Sequence, residues 1–282
     1  MLTFSTGAID SLDRPVMLVS LDGWFDVASA ASQAVETFLD DDVAVVVGEI
    51  DPDPFYDFTQ QRPLVSVDDG VRSIQWPVNE FLVQRHAGEH RDVVALIGVE
   101  PHLHWGTYVD AIVTVAEALG CEAVVTVGSA AEAIPHSRRP AVTGSSANAT
   151  LASRLGLSQP SYQGITGVAG VLQAALETAG IPAVSLRVGV PHYLMNAEHP
   201  QAAAALALHL GHVLGVPMRT DFSDQVDSWR DVHDEIADGD DQLRMYVRML
   251  EAEFDRRTEA SIPSADDLAA EFEEFLDDLR DD

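Results

Sequence analysis

Acidic, histidine and aromatic side chains cluster at the ends of three apolar runs of this chain. They are Glu49 and Asp51 in GEIDPDPF, Glu100 and Trp105 in GVEPHLHW, and His192 and Tyr193 in VPHY. Open α/β sheets bind ligands just past the carboxyl ends of their strands, so these side chains are candidates for such a crevice. Carboxylates there can transfer protons or bind ligand hydroxyls. The alternative is that they cap helices and turns, as the DPDP and EP sequences readily do.

Two histidines two positions apart, His102 and His104, have the spacing of a metal-binding pair, because such side chains face one way on an extended segment. The spacing indicates no third ligand. Cys121 is the only cysteine, which rules out an intrachain disulfide and any multi-cysteine metal site. We predict that Cys121 is a buried small apolar residue and that the protein holds no metal.

The chain contains no lysine, since all 16 of its basic residues are arginine. This excludes Walker A nucleotide binding and Schiff-base chemistry, both of which need an ammonium nitrogen. Ser145 and Ser146 do not lie in a G-x-S-x-G sequence, which disfavours a serine hydrolase. No nucleophile has a recognisable base beside it, and we predict no cofactor.

Two further sequences are candidate anion sites. Gly164 and Gly167 in YQGITGVAGVL can present bare backbone N–H groups at the start of a helix. His136 and Arg138 lie in IPHSRRP, where an arginine can hold a carboxylate or phosphate with two hydrogen bonds. The alternatives are close helix packing for the glycines and an ion pair with an acid of the protein's own oligomer for the arginine.

The elements that must position these residues are buried strands and helices in alternation. Five β-branched runs without strict polar alternation are typical of strands buried on both faces; they span residues 16–21, 43–50, 92–99, 122–129 and 183–190. Helices are predicted at residues 26–39, with Asp26 as N-cap, at 107–119, at 167–179 and in a segment ending at Gly215. The alternation predicts a three-layer α/β/α sandwich with a mostly parallel mixed sheet.

Two segments depart from this alternation. Residues 62–77, RPLVSVDDGVRSIQWP, predict a β-hairpin that decorates the sheet edge. Residues 219–282 contain 22 acidic residues and seven arginines, a net charge of −15. Apolar residues recur there at helical spacing: Leu243, Val247, Leu250 and Phe254, then Leu268, Phe272, Phe275, Leu276 and Leu279. We predict an α/β domain at residues 1–217 and an acidic helical hairpin at residues 218–282, packed on its own domain or on a neighbour.

The formal net charge of the whole chain is −30. A field of that sign repels phosphate backbones and anionic lipid headgroups, so we predict neither nucleic acid nor membrane as a partner. No apolar run approaches the ~20 residues that span a bilayer, and no basic signal segment opens the chain. These features predict a cytoplasmic protein.

Seven blocks of sequence, in this order, resemble a known protein family. They are LDGWFDVASAAS, GEIDPDPFYDFTQQRP, IQWP, GVEPHLHW, IPHSRRPAVTG, YQGITGVAGVL and AGIPAVSLRVGVPHY. The family is that of the proteasome assembly chaperone homologues named after the second eukaryotic chaperone subunit, and the likeness is to its actinobacterial branch. It covers residues 14 to 215.

The resemblance implies a fold like that of purine nucleoside phosphorylases, an additional C-terminal helical part and a homo-oligomer, for which we expect a trimer. Tyr56 and Arg62 match family positions, whereas His102 and His104 fall where no fixed histidine is expected. Relatives that dock on the proteasome do so through a C-terminal hydrophobic-tyrosine-any-residue tail. This chain ends in LRDD, so that docking mode is not expected.

We therefore predict a noncatalytic, chaperone-like or scaffold protein that forms a homo-oligomer and has a proteasome-related or other protein partner. The alternative is an enzyme or sensor that binds a nucleoside-like or phosphorylated small molecule at the strand ends. The candidate crevice residues are Glu49, Asp51, Tyr56, Arg62, Glu100, Trp105, His136, Arg138, Gly164, Gly167, His192 and Tyr193.

Overall fold

The computed structural model describes residues 2–5, 11–40, 42–86 and 90–261. Its strands are β1 (Leu2–Phe4), β2 (Val16–Asp22), β3 (Val45–Ile50), β4 (Leu64–Asp68), β5 (Val71–Gln75), β6 (Asn79–Gln84), β7 (Val93–Val99), β8 (Ala123–Glu132), β9 (Val142–Ser145) and β10 (Ala183–Pro191). Its α-helices are α1 (Ala30–Glu36), α2 (Trp105–Ala118), α3 (Ala149–Leu155), α4 (Val168–Ala179), α5 (Pro200–Leu214), α6 (Ser223–Gly239) and α7 (Asp241–Ser261). The chain divides into two compact units, Met1–Glu132 with Arg139–Trp229, and Ala133–Arg138 with Arg230–Asp282.

The first unit is built on a mixed sheet that has eight strands within the described residues. Their order is β1-β3-β6-β7-β2-β8-β10-β9. The central strands β7, β2, β8 and β10 are parallel to one another, and the outer pairings are antiparallel. Each of the five predicted strand runs forms a strand of this sheet, and the predicted α/β fold is confirmed.

Helices cover both faces of the sheet, which explains why the parallel strands are continuously apolar. On β2, Val16 and Leu18 face a core that contains α1 and α5, while Met17 and Val19 face a core that contains α2 and α4. Because successive side chains point to opposite faces, a strand between two cores is apolar at most positions, with small polar residues such as Ser20 as exceptions.

The first predicted helix begins later than the sequence indicated. Residues 27–29 form a 3₁₀ turn, and Ala28 and Ser29 have φ values of +60° and +53°. The prediction that residues 26–29 belong to the helix is therefore wrong, because a left-handed backbone interrupts it. Asp26 still binds the helix start, since its carboxylate accepts hydrogen bonds from the backbone N–H groups of Ala31 at 2.7 Å and Ser32 at 3.2 Å.

The predicted hairpin is confirmed as β4 and β5, joined by a two-residue turn. Asp69 and Gly70 both have positive φ values, +47° and +78°, as a type I′ turn requires. The two strands pair with each other in a separate sheet. In the described part of the chain the hairpin adds no strand to the main sheet, and its placement at the sheet edge stays a prediction.

The second unit contains helix α7, which matches the first predicted acidic helix. Val247 and Leu250 of its apolar stripe are buried. The second predicted helix, around residues 268–279, lies outside the described residues, and the domain boundary at residues 217 and 218 stays a prediction. None of the helices in the described ranges has both the length and the apolar character needed to cross a membrane.

Candidate functional site: a cleft at the strand ends

A cleft of about 550 Å³ opens at the carboxyl ends of β2 and β7, beside the start of α4. The residues that line it include Asp22 and Glu100, and the tryptophans Trp24 and Trp105. All of these belong to the first unit. Parallel neighbours β2 and β7 end at the same edge, so the loops that follow them meet there, as expected of an open α/β sheet.

Glu100 joins three segments of chain at this cleft. Its Oε2 accepts a hydrogen bond from the backbone N–H of Trp24 at 3.0 Å, and its Oε1 accepts one from Val168 at 3.4 Å. Its own backbone N–H donates to the carbonyl of Asp22 at 2.8 Å. Val168 is the first residue of α4, where a negative charge stabilises the unpaired N–H groups and the helix dipole. The capping interpretation of this carboxylate is therefore the one that its contacts support.

Two glycines make room for this arrangement. Gly23 has a φ of +149°, and a Cβ there would lie 2.8 Å from the Cβ of Glu100. At Gly167 a Cβ would lie 3.2 Å from Oε1 of Glu100 and 3.5 Å from Cε3 of Trp24. Gly167 precedes α4 as predicted, but the carboxylate of Glu100 already occupies the place at the helix start where an external anion would bind.

The loop from Glu100 to Trp105 is held by backbone contacts to a neighbouring loop. The N–H groups of His102 and Leu103 both donate to the carbonyl of Phe55, at 2.9 and 3.0 Å. The ring Nδ1 of His102 accepts a hydrogen bond from the N–H of Asp57 at 3.3 Å, so this histidine anchors the loop. Trp105 donates its indole N–H to the carbonyl of Pro101 at 2.7 Å. Across the described ranges, no three His, Cys, Asp or Glu side chains form a metal-binding group.

Beneath the cleft lies a buried network of two tyrosines and one asparagine. Asn79 Nδ2 donates to the Tyr56 hydroxyl at 2.5 Å, and that hydroxyl donates to the Val99 carbonyl at 2.5 Å. Asn79 Oδ1 accepts from the Tyr108 hydroxyl at 2.8 Å and from the Val99 N–H at 3.1 Å. Burial raises the pKa of Tyr56 to about 12 and the pKa of Tyr108 well above its usual value. Both phenols are therefore neutral near pH 7 and hold the end of β7 in place.

Other candidates lie elsewhere along the strand ends. Glu49 is exposed on β3, opposite Glu80 of β6, so a whole strand separates it from β7. Asp51 accepts a hydrogen bond from the N–H of Asp53 at 3.1 Å, which lowers its pKa and closes a turn. Arg62 is exposed before β4 and does not line the cleft.

His192 and Tyr193 follow β10, three strand positions from β7 in the sheet. The Nδ1 of His192 lies 3.2 Å from the carbonyl of Glu132, and its ring packs edge-on to Tyr193 at 5.6 Å. Gly164, with a φ of +159°, lies next to the exposed Tyr162. Of the predicted residues, the structure thus brings Glu100, Trp105 and Gly167 together in one cleft. A binding role for the others stays a prediction.

His136 and Arg138 belong to the second unit and contact its acidic helices. The Arg138 guanidinium donates two hydrogen bonds of 2.9 Å to Asp255 and one of 3.2 Å to Glu251. These carboxylates belong to the same chain, whereas the alternative raised from the sequence was an acid of the protein's own oligomer as the partner of this arginine. His136 Nε2 lies 3.1 Å from a carboxylate oxygen of Asp234. Burial lowers the pKa of His136, so the neutral ring is favoured.

The fold and the residue pattern can now be compared with known proteins. Residues 20–237 match the family described as the PAC2 family. The chain belongs to the PAC2 family. No sequence among the curated proteins matches this PAC2 chain.

Solved structures similar to this PAC2 chain include two from actinobacteria. The PAC2 family protein from Streptomyces avermitilis is 36% identical, with a TM-score of 0.76 over 83% of this chain and 99% of that one. A Mycobacterium tuberculosis protein described as a proteasome-assembly chaperone homologue is 34% identical, with a TM-score of 0.71 over 82% of this chain and 99% of that one. An archaeal proteasome activator from Pyrococcus furiosus, 16% identical, shares the fold with a TM-score of 0.63 over 84% and 98% of the two chains. The resemblance inferred from the seven sequence blocks is confirmed.

Proposed function

We propose that this protein is a noncatalytic, chaperone-like PAC2 protein that assembles with copies of itself and binds a proteasome-related protein. The observation that carries the proposal is the exposed hairpin of β4 and β5. Leu64, Val67 and Val71 are 67%, 69% and 69% exposed. Leu64 and Val71 lie on one face of the hairpin and Val67 on the other, because directly paired residues share a face.

An isolated two-stranded hairpin is marginally stable in water. Large apolar side chains on both of its faces therefore favour an arrangement in which another surface covers them. A second copy of the chain supplies that surface in our proposal, and we retain a trimer as the expected assembly. The relatives support the choice of external partner, since one is described as a proteasome-assembly chaperone homologue and another as an archaeal proteasome activator.

The contacts at the strand ends also favour a binding role over turnover. Both oxygens of Glu100 bond to backbone N–H groups of the chain itself. Elsewhere in the fold, before β8, burial raises the pKa of the Cys121 thiol to about 12, which suppresses its thiolate. The alternative of an enzyme or sensor for a phosphorylated compound receives less support. A phosphate in the cleft would face the carboxylate of Glu100.

The assembly is tested by light scattering coupled to size exclusion, with two matched variants of the hairpin. We expect a wild-type mass of three times the 30.4 kDa chain mass. Val71→Glu places a charge in the apolar surface and should reduce that mass. Gln75→Glu adds the same charge on the same strand and face, but at a polar position, and should leave the mass unchanged. Circular dichroism checks that both variants are folded.

A wild-type protein that stays monomeric at every concentration would overturn the assembly proposal, as would equal masses for the two variants. The partner is tested by pull-down of the tagged full-length protein from its own cells, followed by mass spectrometry. We expect proteasome subunits or proteins bound to them, in larger amounts than with an unrelated tagged protein of equal charge. Recovery of none would refute the proteasome part alone.

A further inference from the structure

We propose that the cleft beside Trp24 and Glu100 binds a guanidinium group, either that of a small amine such as agmatine or that of an arginine side chain on a protein. Glu100, Trp24 and Trp105 line the cleft, and no arginine is among its lining residues in the described chain. The proposal is independent of the self-assembly proposed above, because it depends only on residues of one chain.

The carboxylate of Glu100 is a preorganised acceptor. Its two oxygens are each fixed by one backbone N–H, at 3.0 and 3.4 Å. A carboxylate offers about four lone-pair positions, so each oxygen keeps capacity for a further donor from the cleft. A guanidinium presents N–H groups in a planar fork that fits two carboxylate oxygens at once.

The indole rings supply the complementary apolar surface. Trp24 is 71% exposed, although its Cε3 lies against Gly167. Its ring is thus supported from the loop but largely open to solvent. Trp105 has its indole N–H bonded to the Pro101 carbonyl, which fixes the ring and leaves no unpaired donor on it. Cations, and arginine in particular, bind over indole faces.

The residues that line the cleft disfavour a negatively charged ligand. His102 is the one basic side chain among the described lining residues, and its Nδ1 accepts a hydrogen bond from Asp57, so the ring is held by the loop. The N–H groups at the start of α4 already face Glu100. An anion would meet the carboxylate of Glu100 with no arginine among the described lining residues to compensate it. A cation is also favoured by the chain's net charge of −30.

Size agrees with this chemistry. A cleft of about 550 Å³ falls within the range of small-molecule sites, about 300–1,000 Å³. Ile165, which is 88% exposed, extends the apolar lining at the mouth. This apolar rim suits the methylene stem of an arginine or agmatine, while the head group reaches Glu100.

The test is isothermal titration of the full-length protein with matched ligands. N-acetyl-arginine amide and N-acetyl-citrulline amide have the same shape, but only the first carries a charge. We expect binding of the arginine compound, at least tenfold weaker binding of the citrulline compound, and none of inorganic phosphate. Equal affinities for the two amides would overturn the proposal, as would no binding of either amide and of agmatine.

Two tryptophan variants locate the site. Trp24→Leu should weaken binding of the arginine amide about fivefold, which corresponds to about 1 kcal/mol for a partly exposed cation–π contact. Trp76→Leu removes a half-exposed tryptophan that does not line the cleft, and it should bind like the wild type. Equal affinities for both variants would refute the assignment to this cleft.

The two sources of the guanidinium are separated by two further probes. Agmatine represents the free small amine, and the peptide acetyl-Gly-Arg-Gly-amide represents a protein side chain. Tighter binding of agmatine assigns the site to a small molecule, and tighter binding of the peptide assigns it to a protein arginine. The assembly mass is measured separately, so a failure here is distinguishable from a failure of the proposed self-assembly.

Discussion

Replacing Asn79 by alanine should destabilise the protein more than removing the Tyr108 hydroxyl that it contacts. Asn79 is almost fully buried, and its Oδ1 is the shared acceptor for the Tyr108 hydroxyl and the Val99 N–H. The variant leaves both donors without that acceptor. Tyr108→Phe instead removes a single donor, while Asn79 Oδ1 still accepts from Val99.

The expected magnitudes differ accordingly. A buried donor left without a partner costs about 1–3 kcal/mol, so two of them in Asn79→Ala cost about 2–6 kcal/mol. Loss of one hydrogen bond with its partner still satisfied, as in Tyr108→Phe, costs about 0.5–1.5 kcal/mol. With a urea dependence of about 3 kcal/mol per molar, the midpoints should fall by about 0.7–2 M and about 0.2–0.5 M respectively.

The assay is urea unfolding followed by circular dichroism, at one fixed chain concentration because self-association would shift the midpoint. Equal slopes of free energy against urea show that the variants unfold the same amount of structure. If Asn79→Ala loses no more stability than Tyr108→Phe, the shared-acceptor explanation of this network is refuted.

Three further predictions concern single positions. Gly23→Ala should lower the free energy of unfolding by about 1–3 kcal/mol, because its Cβ would lie 2.8 Å from the Cβ of Glu100. Gly106→Ala in α2, where a Cβ has open space, should raise the free energy of unfolding by about 0.5 kcal/mol. Thermal unfolding of both variants checks this, and equal effects would contradict it. The Cys121 thiol, with its pKa raised by burial to about 12, should react with iodoacetamide far more slowly in the folded protein than in urea, and equal rates would argue against burial. Burial raises the pKa of Asp26 above 3.8, so the folded state binds this proton more tightly, and the stability due to Asp26 falls as the pH rises from below 3.8 through its folded pKa. The melting temperature of the wild type should fall relative to that of Asp26→Asn as the pH rises across that range. A difference in melting temperature that stays constant with pH would refute the raised pKa.

The parallel core of the fold could be predicted from the sequence because burial on both faces leaves a visible trace. The run at residues 16–21 became β2 (Val16–Asp22), and the run at 183–190 became β10 (Ala183–Pro191). Strand β6 (Asn79–Gln84) was missed because its six residues include Asn79, Glu80 and a terminal glutamine, which do not form an apolar run. It pairs antiparallel with both β3 and β7.

The candidate site was predictable where a position after a strand or at a helix start carried the information, as at Glu100 and Gly167. Glu100 follows β7 directly, and a carboxylate just past the end of a strand was the observation that made it a crevice candidate. Trp24, Asn79 and Tyr108 were absent from the candidate set. The contacts of Asn79 and Tyr108 arise because β6 and α2 pack beside β7, and no local pattern encodes which strand lies next to which. A glycine inside a strand indicates close approach of another group, and at Gly98 a Cβ would lie 2.0 Å from Asn79 Oδ1. The sequence alone does not say which residue approaches it.

A single carboxylate is shared between the rim of the cleft and the origin of helix α4. Glu100 reaches partners 76 and 68 positions away in sequence, at Trp24 and Val168. Aspartate is shorter by one methylene, so we expect it to lose at least one of these two hydrogen bonds. Attempts to redesign the recess at this residue will therefore disturb the helix as well, so ligand selectivity is better altered from the tryptophan side, where the ring can be exchanged without releasing any backbone amide.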